Sequence, residues 1–81
     1  MSTHTVRVFV TLKPSVFDPQ GHTIAEALHS MGHARVADVR QGKYFEVRVE
    51  ADTVQEAETM VGQIADTLLA NPVIESYRLE T

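Results

Sequence analysis

The sequence predicts an α+β fold in which strands and helices alternate as β-α-β-β-α-β. Three observations support this prediction. Apolar residues recur at every second position in some segments, they recur at helical spacing in two others, and turn residues separate the segments. Two βαβ crossovers interleaved in this way give a ferredoxin-like sandwich, a four-stranded antiparallel sheet with both helices on one face. No linker or low-complexity tract interrupts the chain, so we expect residues 1–81 to form a single domain.

The first part of the chain is predicted to form a strand and then a helix. Val and Leu side chains occupy every second position of residues 6–13, and Pro14 ends this strand because proline cannot donate to a sheet ladder. The turn sequence DPQG at residues 18–21 leads into a helix that extends to about His33. Gly32, near its end, suits a left-handed cap. The apolar face of this helix has the spacing i, i+3, i+4, i+7 and consists of Ile24, Ala27, Leu28 and Met31.

Two strands joined by a hairpin are predicted next. Residues 35–41 form the weaker strand, because Val36 and Val39 lie three positions apart, which is consistent with a bulge. Gly42 lies in the reversal that follows. Apolar and polar side chains then alternate cleanly along residues 44–50, and the two segments together fit a hairpin.

The second helix has the clearest boundaries. Thr53 and Glu56 form a capping box, in which each side chain can satisfy a backbone N–H at the start of the helix. An apolar stripe follows, and Pro72 ends the helix because it disfavours a helical conformation in the residue before it. Residues 73–80 form the last strand. Gly62, inside the helix, costs about 1 kcal/mol relative to alanine; a close backbone approach and simple tolerance both remain open explanations.

Composition and charge restrict the possible functions. With 81 residues, 43% hydrophobic and 22% charged, the chain is typical of one small globular domain. It has no cysteine, which excludes disulfides and thiolate chemistry, and its formal net charge of −4 argues against a general nucleic-acid binder. No apolar segment approaches the roughly 20 residues needed to span a bilayer, and the N-terminus lacks the layout of a secretory signal. We therefore expect a cytoplasmic protein with no membrane or nucleic-acid partner, stabilised by oligomerisation.

No motif predicts a catalytic centre or a cofactor site. The serines lie in no nucleophile-elbow pattern, and the four glycines match neither a dinucleotide nor a P-loop spacing. His22, His29 and His33 share one helix face with Glu26, and an i, i+4 histidine pair can hold a metal. This face lies opposite the apolar one, however, so a solvated polar face is the favoured interpretation. We expect this chain to have no catalytic residue, bound cofactor or metal.

Two surfaces carry candidate contact residues. The sheet face away from the helices has no internal cover, and we interpret it as a surface for self-association. Its candidate residues are Arg7, Phe9, Thr11, Tyr44, Glu46 and Arg48. Three cations, Lys13, Arg40 and Lys43, lie at the end of the first strand and around the hairpin. Ordinary solvated charge and a docking point for an acidic surface or a phosphate both remain open there.

Four parts of the sequence, in this order, carry a resemblance to a known family: VTLKP at 10–14 with DPQG at 18–21, ALHSMG at 27–32, DVRQGKY at 38–44, and LANPVIESY at 69–77. Over nearly its whole length the chain resembles PurS, the small subunit of bacterial and archaeal phosphoribosylformylglycinamidine (FGAM) synthase. Ser15 and Phe17 depart from the family pattern, which usually has glycine and leucine at these positions.

The resemblance implies a non-catalytic subunit of a three-protein ligase complex in de novo purine biosynthesis. In such a complex a synthetase subunit uses ATP and Mg to activate formylglycinamide ribonucleotide (FGAR), and a glutaminase subunit releases ammonia from glutamine. The small subunit is implied to self-associate, as a dimer or a dimer of dimers, and to bridge the other two. Ammonia derived from glutamine is then used to convert FGAR to FGAM.

Matching positions place the implied contacts with a catalytic subunit in the loop after the first strand and in the hairpin: Lys13, Asp18, Pro19, Gln20, Gly21, Arg40, Gly42 and Lys43. The alternative interpretation is an ACT-like regulatory domain, which shares the β-α-β-β-α-β order and binds amino acids at dimer interfaces. Such domains usually have a glycine in the loop between the first strand and the first helix, and here Gly21 is the only glycine in that region.

Overall fold

The computed structural model describes residues 1–81 and contains three strands and two helices. In chain order these are β1 (Ser2–Leu12), α1 (Pro19–Ser30), β2 (Gly42–Ala51), α2 (Val54–Ile64) and β3 (Glu75–Glu80). A π-helical turn, Ala65–Leu69, extends α2. The fold is α+β, as predicted. None of the helices combines the length and the apolar character needed to cross a membrane.

The sheet is antiparallel, with the strand order β2-β1-β3. β1 is the central strand, so its inward side chains are the best covered. Val6, Val8 and Val10 are fully buried against α2, which approaches closely because it contributes small side chains, Ala57 and Val61, at the contact. Apart from the fully buried Ala51 at the end of β2, the inward apolar residues of the outer strands are only half-buried. The core is therefore small and centred on β1.

The ends of both helices follow local signals in the sequence. The Thr53 hydroxyl accepts a hydrogen bond from the Glu56 backbone N–H at 3.1 Å, which starts α2 as the capping box predicts. Asp18 caps α1, and Pro19 occupies its first turn, where no backbone N–H is needed. Beyond the last turn of α1, Gly32 has a φ of 97°, the left-handed conformation expected from the sequence.

The prediction of four strands is wrong for the single chain, because residues 35–41 form no strand. Backbone N–H groups that a sheet ladder would need are bonded to side chains instead. The Gln41 N–H donates to the carboxylate of Asp18 at 2.7 Å, and the Val39 N–H donates to the carboxylate of Asp38 at 2.9 Å. These carboxylates, one from the neighbouring residue and one from across the fold, satisfy backbone donors of the segment, so it remains irregular.

The prediction that both helices cover one face of the sheet is also wrong. Only α2 packs on the strands; α1 and the segment that returns from it project from one end of the sheet. We call residues 19–41 the arm. Its two sides are held together where His29 Nε2 lies 2.6 Å from the Val36 carbonyl oxygen. As a result the molecule measures 52 × 25 × 14 Å, with a radius of gyration of 16.3 Å against about 12 Å for a compact chain of this length.

Candidate functional site

The arm joins the sheet at a polar junction, which contains the predicted docking residues. We define the junction as Lys13, Asp18, Pro19, Gln20, Gly21, Arg40, Gln41, Gly42, Lys43 and Glu75. The end of β1, the first turn of α1 and the start of β2 meet here. Several of these side chains line one small open cleft. All eight residues predicted to dock a catalytic subunit therefore lie close together.

Asp18 connects the chain segment that enters the arm to the segment that leaves it. Its Oδ1 accepts a hydrogen bond from the Gly21 N–H at 2.9 Å, and its Oδ2 accepts one from the Gln41 N–H at 2.7 Å. The residue is only 5% exposed. The hydrogen bond from Gln41, followed by that from Gly21 and the positive charge of Arg40, lowers the pKa of Asp18 and outweighs the opposing effect of burial. Asp18 is therefore an ionised structural brace.

Two glycines allow the junction to close. A Cβ on Gly21 would lie 2.0 Å from the Val39 carbonyl oxygen, and a Cβ on Gly42 would lie 2.4 Å from the Val10 carbonyl oxygen. Both contacts are with backbone, which cannot move aside as a flexible side chain can. At Gly21 the arm thus packs directly on its own return segment, and at Gly42 the start of β2 packs directly on β1, so both positions require glycine.

The three predicted cations converge on the junction, and each also makes an internal contact. Lys13 Nζ donates to the Pro72 carbonyl at 2.9 Å, and Arg40 Nη2 donates to the Lys13 carbonyl at 3.0 Å. Lys43 Nζ lies 3.4 Å from a carboxylate oxygen of Glu75. The side chain of Lys43 is still 56% exposed. These cations therefore brace the junction and also present positive charge to solvent.

Sequence reasoning missed two residues of this site. Gln41 supplies the N–H that Asp18 binds, and its side-chain amide donates to Gln20 at 2.7 Å. Glu75, whose side chain is 10% exposed, pairs with Lys43 and accepts a hydrogen bond from the Asn71 N–H. The sequence Asp18-Pro19 indicates a helix cap and so points to Asp18. No local spacing links Asp18 to Gln41, which lies 23 positions away.

The six residues predicted for self-association share the sheet face opposite α2. Phe9 and Tyr44 face each other across β1 and β2 with ring centroids 5.1 Å apart. The guanidinium of Arg78, which the sequence analysis did not single out, lies 4.2 Å from the centre of the Phe9 ring. The Tyr44 hydroxyl donates to Glu46 at 2.6 Å, and this carboxylate raises the pKa of Tyr44. The face combines aromatic rings with charges of both signs.

Both helices leave apolar side chains uncovered. The sequence predicts that Ile24, Leu28 and Met31 pack in the core, but α1 stands away from the sheet, and Ile24 and Met31 are 41% and 71% exposed. A second stripe on α2 and its π-helical extension is also exposed: Met60, Ile64 and Leu68. These stripes are the largest difference between the expected and the observed core.

The histidines of α1 lie on its polar side. His22 Nε2 contacts the Glu26 carboxylate at 2.6 Å, and His29 contacts the Val36 carbonyl. Nowhere in residues 1–81 do three or more His, Cys, Asp or Glu side chains converge as a metal site requires.

The fold and the junction define a small α+β protein of the kind that binds other proteins. It exposes one face of its sheet, apolar side chains on both helices and a cluster of charges at the junction. A family model, described as PurS: Phosphoribosylformylglycinamidine (FGAM) synthase, matches residues 5–81. The chain is 47% identical over 77 residues to the phosphoribosylformylglycinamidine synthase subunit PurS of Bacillus subtilis, a match that covers 95% of this chain and 90% of that one. The chain belongs to the PurS family.

Solved structures agree with this assignment. The B. subtilis PurS structure matches with a TM-score of 0.84 and 46% identity, covering 98% of this chain and 96% of that one. A chain in the structure of PurLQS from Thermotoga maritima matches with a TM-score of 0.91 and 31% identity, covering 99% of this chain and 98% of that one. These similarities over the full length do not favour the ACT-like alternative.

Proposed function

We propose that this chain is a non-catalytic subunit of FGAM synthase that self-associates and bridges a glutaminase subunit and an ATP-dependent synthetase subunit. The observation that carries the proposal is its likeness, over almost the whole chain, to a chain in the structure of PurLQS. In this role it binds no cofactor itself, while the complex uses ATP and Mg. The complex converts FGAR to FGAM with ammonia derived from glutamine.

A bridging subunit has a clear physical purpose in such a reaction. Ammonia released into bulk water is diluted and protonated to ammonium, which has no lone pair and is not a nucleophile. Holding the two active sites in a fixed relation keeps the reactant at high effective concentration and away from solvent. A rigid, braced chain suits this purpose better than a flexible linker.

We infer that the junction is the docking surface for a catalytic subunit. The positive charges of Lys13, Arg40 and Lys43 meet at one end of the sheet, on backbone that Asp18 and Gly21 hold in place. A preorganised cationic surface loses little entropy when it binds an acidic partner surface.

The open face of the sheet is the proposed surface for self-association. Its central pair, Phe9 and Tyr44, supplies aromatic area, and charges of both signs surround that pair. In a twofold contact the same patch meets itself, so a patch with both signs can pair each charge with its opposite.

Reconstitution tests the proposed function. The synthetase and glutaminase subunits are mixed with ATP, Mg and FGAR, with and without this chain, and glutamine is compared with ammonium as the nitrogen source. We expect the chain to be required for the glutamine reaction and to matter much less for the ammonium reaction. Equal rates with and without the chain, for both nitrogen sources, would contradict the bridging role.

A charge variant tests the docking surface within that assay. Arg40→Ala combined with Lys43→Ala is expected to weaken assembly and lower the glutamine-dependent rate, whereas Arg35→Ala, a cation outside the junction, is the matched control. Thermal unfolding of each free variant separates lost docking from lost folding. If the double variant assembles and turns over glutamine normally, the junction is not the docking surface.

A further inference from the structure

The central strand of the sheet is paired on both sides over only about half of its length. β1 pairs with β2 from Ser2 to Thr11 but with β3 only from Arg7 to Leu12. One side of the segment Ser2–Val6 therefore has no neighbouring strand. At about 3.4 Å per residue this segment is about 17 Å long, which is enough for an extended peptide of about five residues to lie beside it.

The hydrogen-bond pattern shows which backbone groups this side exposes. The Lys13 N–H donates to the Ile74 carbonyl at 2.8 Å, so Lys13 directs its N–H toward the chain that forms β3. In an antiparallel ladder successive residues direct their backbone groups to opposite sides, and the pairing of β1 is continuous. Thr3 and Thr5 therefore direct their N–H and C=O groups to the side without a strand. We call these four groups the free edge.

A buried polar atom lies on the same segment. His4 lies between the two threonines, on the face of β1 that carries the buried valines, and its Nε2 is shielded from solvent without a hydrogen-bond partner. No other buried side-chain nitrogen or oxygen in residues 1–81 lacks a partner. A residue directly opposite His4 on an added strand would have its Cβ about 5 Å from the His4 Cβ. An added strand can thus bring a hydrogen-bonding group to an atom that the single chain leaves unpaired.

This end of the sheet is acidic. Residues 49–77 contain six acidic residues and no lysine or arginine, and four of the six lie where β2 ends and α2 begins: Glu50, Asp52, Glu56 and Glu58. Glu50 lies opposite Thr3 in the ladder. Glu50, Glu56 and Glu58 take part in no ion pair. An extended segment with basic side chains complements this charge, whereas a second copy at the same edge would bring like charges together.

We propose that an extended, basic segment of a catalytic subunit adds to the free edge as an antiparallel strand in line with β3. The inference rests on the proposed function and concerns a surface separate from the junction, which lies at the other end of the sheet. Backbone hydrogen bonds to Thr3 and Thr5 supply affinity, and the side chains that meet His4 and Glu50 supply specificity. A bridging chain of this kind presents cations at one end and acids at the other, so that charge distinguishes its two partners.

Hydrogen exchange tests the free edge directly. In the free chain we expect the N–H groups of Thr3 and Thr5 to exchange at least tenfold faster than those of His4 and Val6, which donate within the ladder to β2. The full chain is then reconstituted with the synthetase and glutaminase subunits, and exchange is read residue by residue by mass spectrometry with electron-transfer fragmentation. We expect exchange at Thr3 and Thr5 to slow at least tenfold in the complex.

Proline at position 5 blocks the free edge and leaves the ladder to β2 intact. Thr5→Pro removes an N–H that points away from β2, and proline is tolerated at such a position of an edge. We expect it to raise the dissociation constant from the catalytic subunits at least tenfold and to lower the glutamine-dependent rate. Thr5→Val removes only the hydroxyl and is the matched control, with less than a twofold change expected. Normal assembly of a folded Thr5→Pro chain would overturn the proposal.

A charge variant tests the chemistry assigned to the added segment. Glu50→Gln is expected to raise the dissociation constant at least threefold at low salt, with a smaller effect as the salt concentration rises. Glu26→Gln removes the same charge from the arm, at the other end of the molecule, and is the control. Equal dissociation constants for Glu50→Gln and the wild type would mean that the segment is not recognised by its positive charge, contrary to the proposal.

The exchange measurement on the wild type decides the matter even if Thr5→Pro does not fold. Unchanged exchange at Thr3 and Thr5, in a complex that supports the glutamine reaction, removes this interface and leaves the proposed function intact. Slow exchange at both residues in the chain alone, lost on dilution, means that a second copy occupies the edge and overturns the proposal. A wild-type chain that does not stimulate the glutamine reaction contradicts the proposed function itself.

Discussion

The carboxylate of Asp18 and the backbone N–H of Gln41, 23 residues apart in the sequence, are joined by a hydrogen bond of 2.7 Å. The same carboxylate caps α1 through Gly21. One side chain thus fixes both ends of the arm, which explains why an exposed helix keeps a defined direction. The docking surface proposed at the junction depends on this brace.

The brace predicts a pH-dependent contribution to stability. Because the pKa of Asp18 is lowered in the folded protein, the unfolded chain takes up the proton first as pH falls through the ordinary value of 3.8. The contribution is complete above that value and is lost as pH falls toward the folded pKa. We expect Asp18→Asn to be less stable than the wild type at neutral pH, with the difference shrinking in acid.

Urea unfolding midpoints of both proteins across this range measure the effect. Asp38→Asn is a suitable control, because Asp38 is exposed and bonds only to its neighbour, Val39. A difference between Asp18→Asn and the wild type that stays constant down to strongly acidic pH would mean that ionisation of Asp18 does not stabilise the fold.

Gly21→Ala is expected to destabilise the protein by about 2 kcal/mol, within the range of overpacked sites. The new Cβ would meet the Val39 carbonyl oxygen at 2.0 Å, so either α1 or the return segment must shift. Equilibrium urea unfolding gives the free energy, and hydrogen exchange is expected to increase within residues 31–41. Unchanged stability and exchange would show that the close approach is not required.

Gly62→Ala is expected to have the opposite sign. An added Cβ would meet only Leu79 Cδ1 and Tyr77 Oη, both at an ordinary 3.9 Å. The change replaces a poor helix former with a good one in the middle of α2, so the free energy of unfolding should rise by about 0.5–1 kcal/mol. Of the two explanations left open by the sequence, the structure supports tolerance. A loss of stability would instead indicate a backbone contact that alanine disturbs.

We expect Asp66 to influence the pKa of Tyr77. The Tyr77 hydroxyl donates to the Gly62 carbonyl at 3.2 Å beside Asp66, and this carboxylate, together with burial, raises the pKa of Tyr77. In a Tyr44→Phe background Tyr77 is the only tyrosine, so its ultraviolet absorbance reports its titration directly. Adding Asp66→Asn should lower that pKa, because the negative charge is removed. No shift, in a variant with an unchanged circular dichroism spectrum, would contradict this assignment.

The periodicity of the sequence was sufficient to predict the helices and strands whose signals are local. The alternation in β1 and β2 predicts which side chains share a face, and the structure agrees, from the buried valines of β1 to the pair of Phe9 and Tyr44 on the other side. The Thr53 cap and the positive φ at Gly32 were also predictable, because both depend on residues within one helical turn. The order of the elements and the class of fold follow from these signals.

The residues that make up the junction could be predicted only in part, because some of them are linked only across the fold. The loop and hairpin residues of the junction were predicted through a family resemblance and through clustered charge. Gln41 and Glu75 act through partners distant in the sequence, Asp18 and Lys43, and no spacing rule reveals such pairs. The same limit applies to residues 35–41, whose valines suggest a strand while their backbone is bonded to carboxylates.

Local patterns in the sequence are enough to predict the two helices, three of the strands and which strand residues share a face, because these features depend on neighbours along the chain. The order of whole segments is enough to predict the family. Tertiary structure decided where α1 lies, and with it that the sheet has three strands. An amphipathic helix only requires that its apolar face be covered, and the free energy of burial is nearly the same whichever molecule covers it. The contacts of Asp18 and Gly21, made across the fold, direct this helix away from its own sheet.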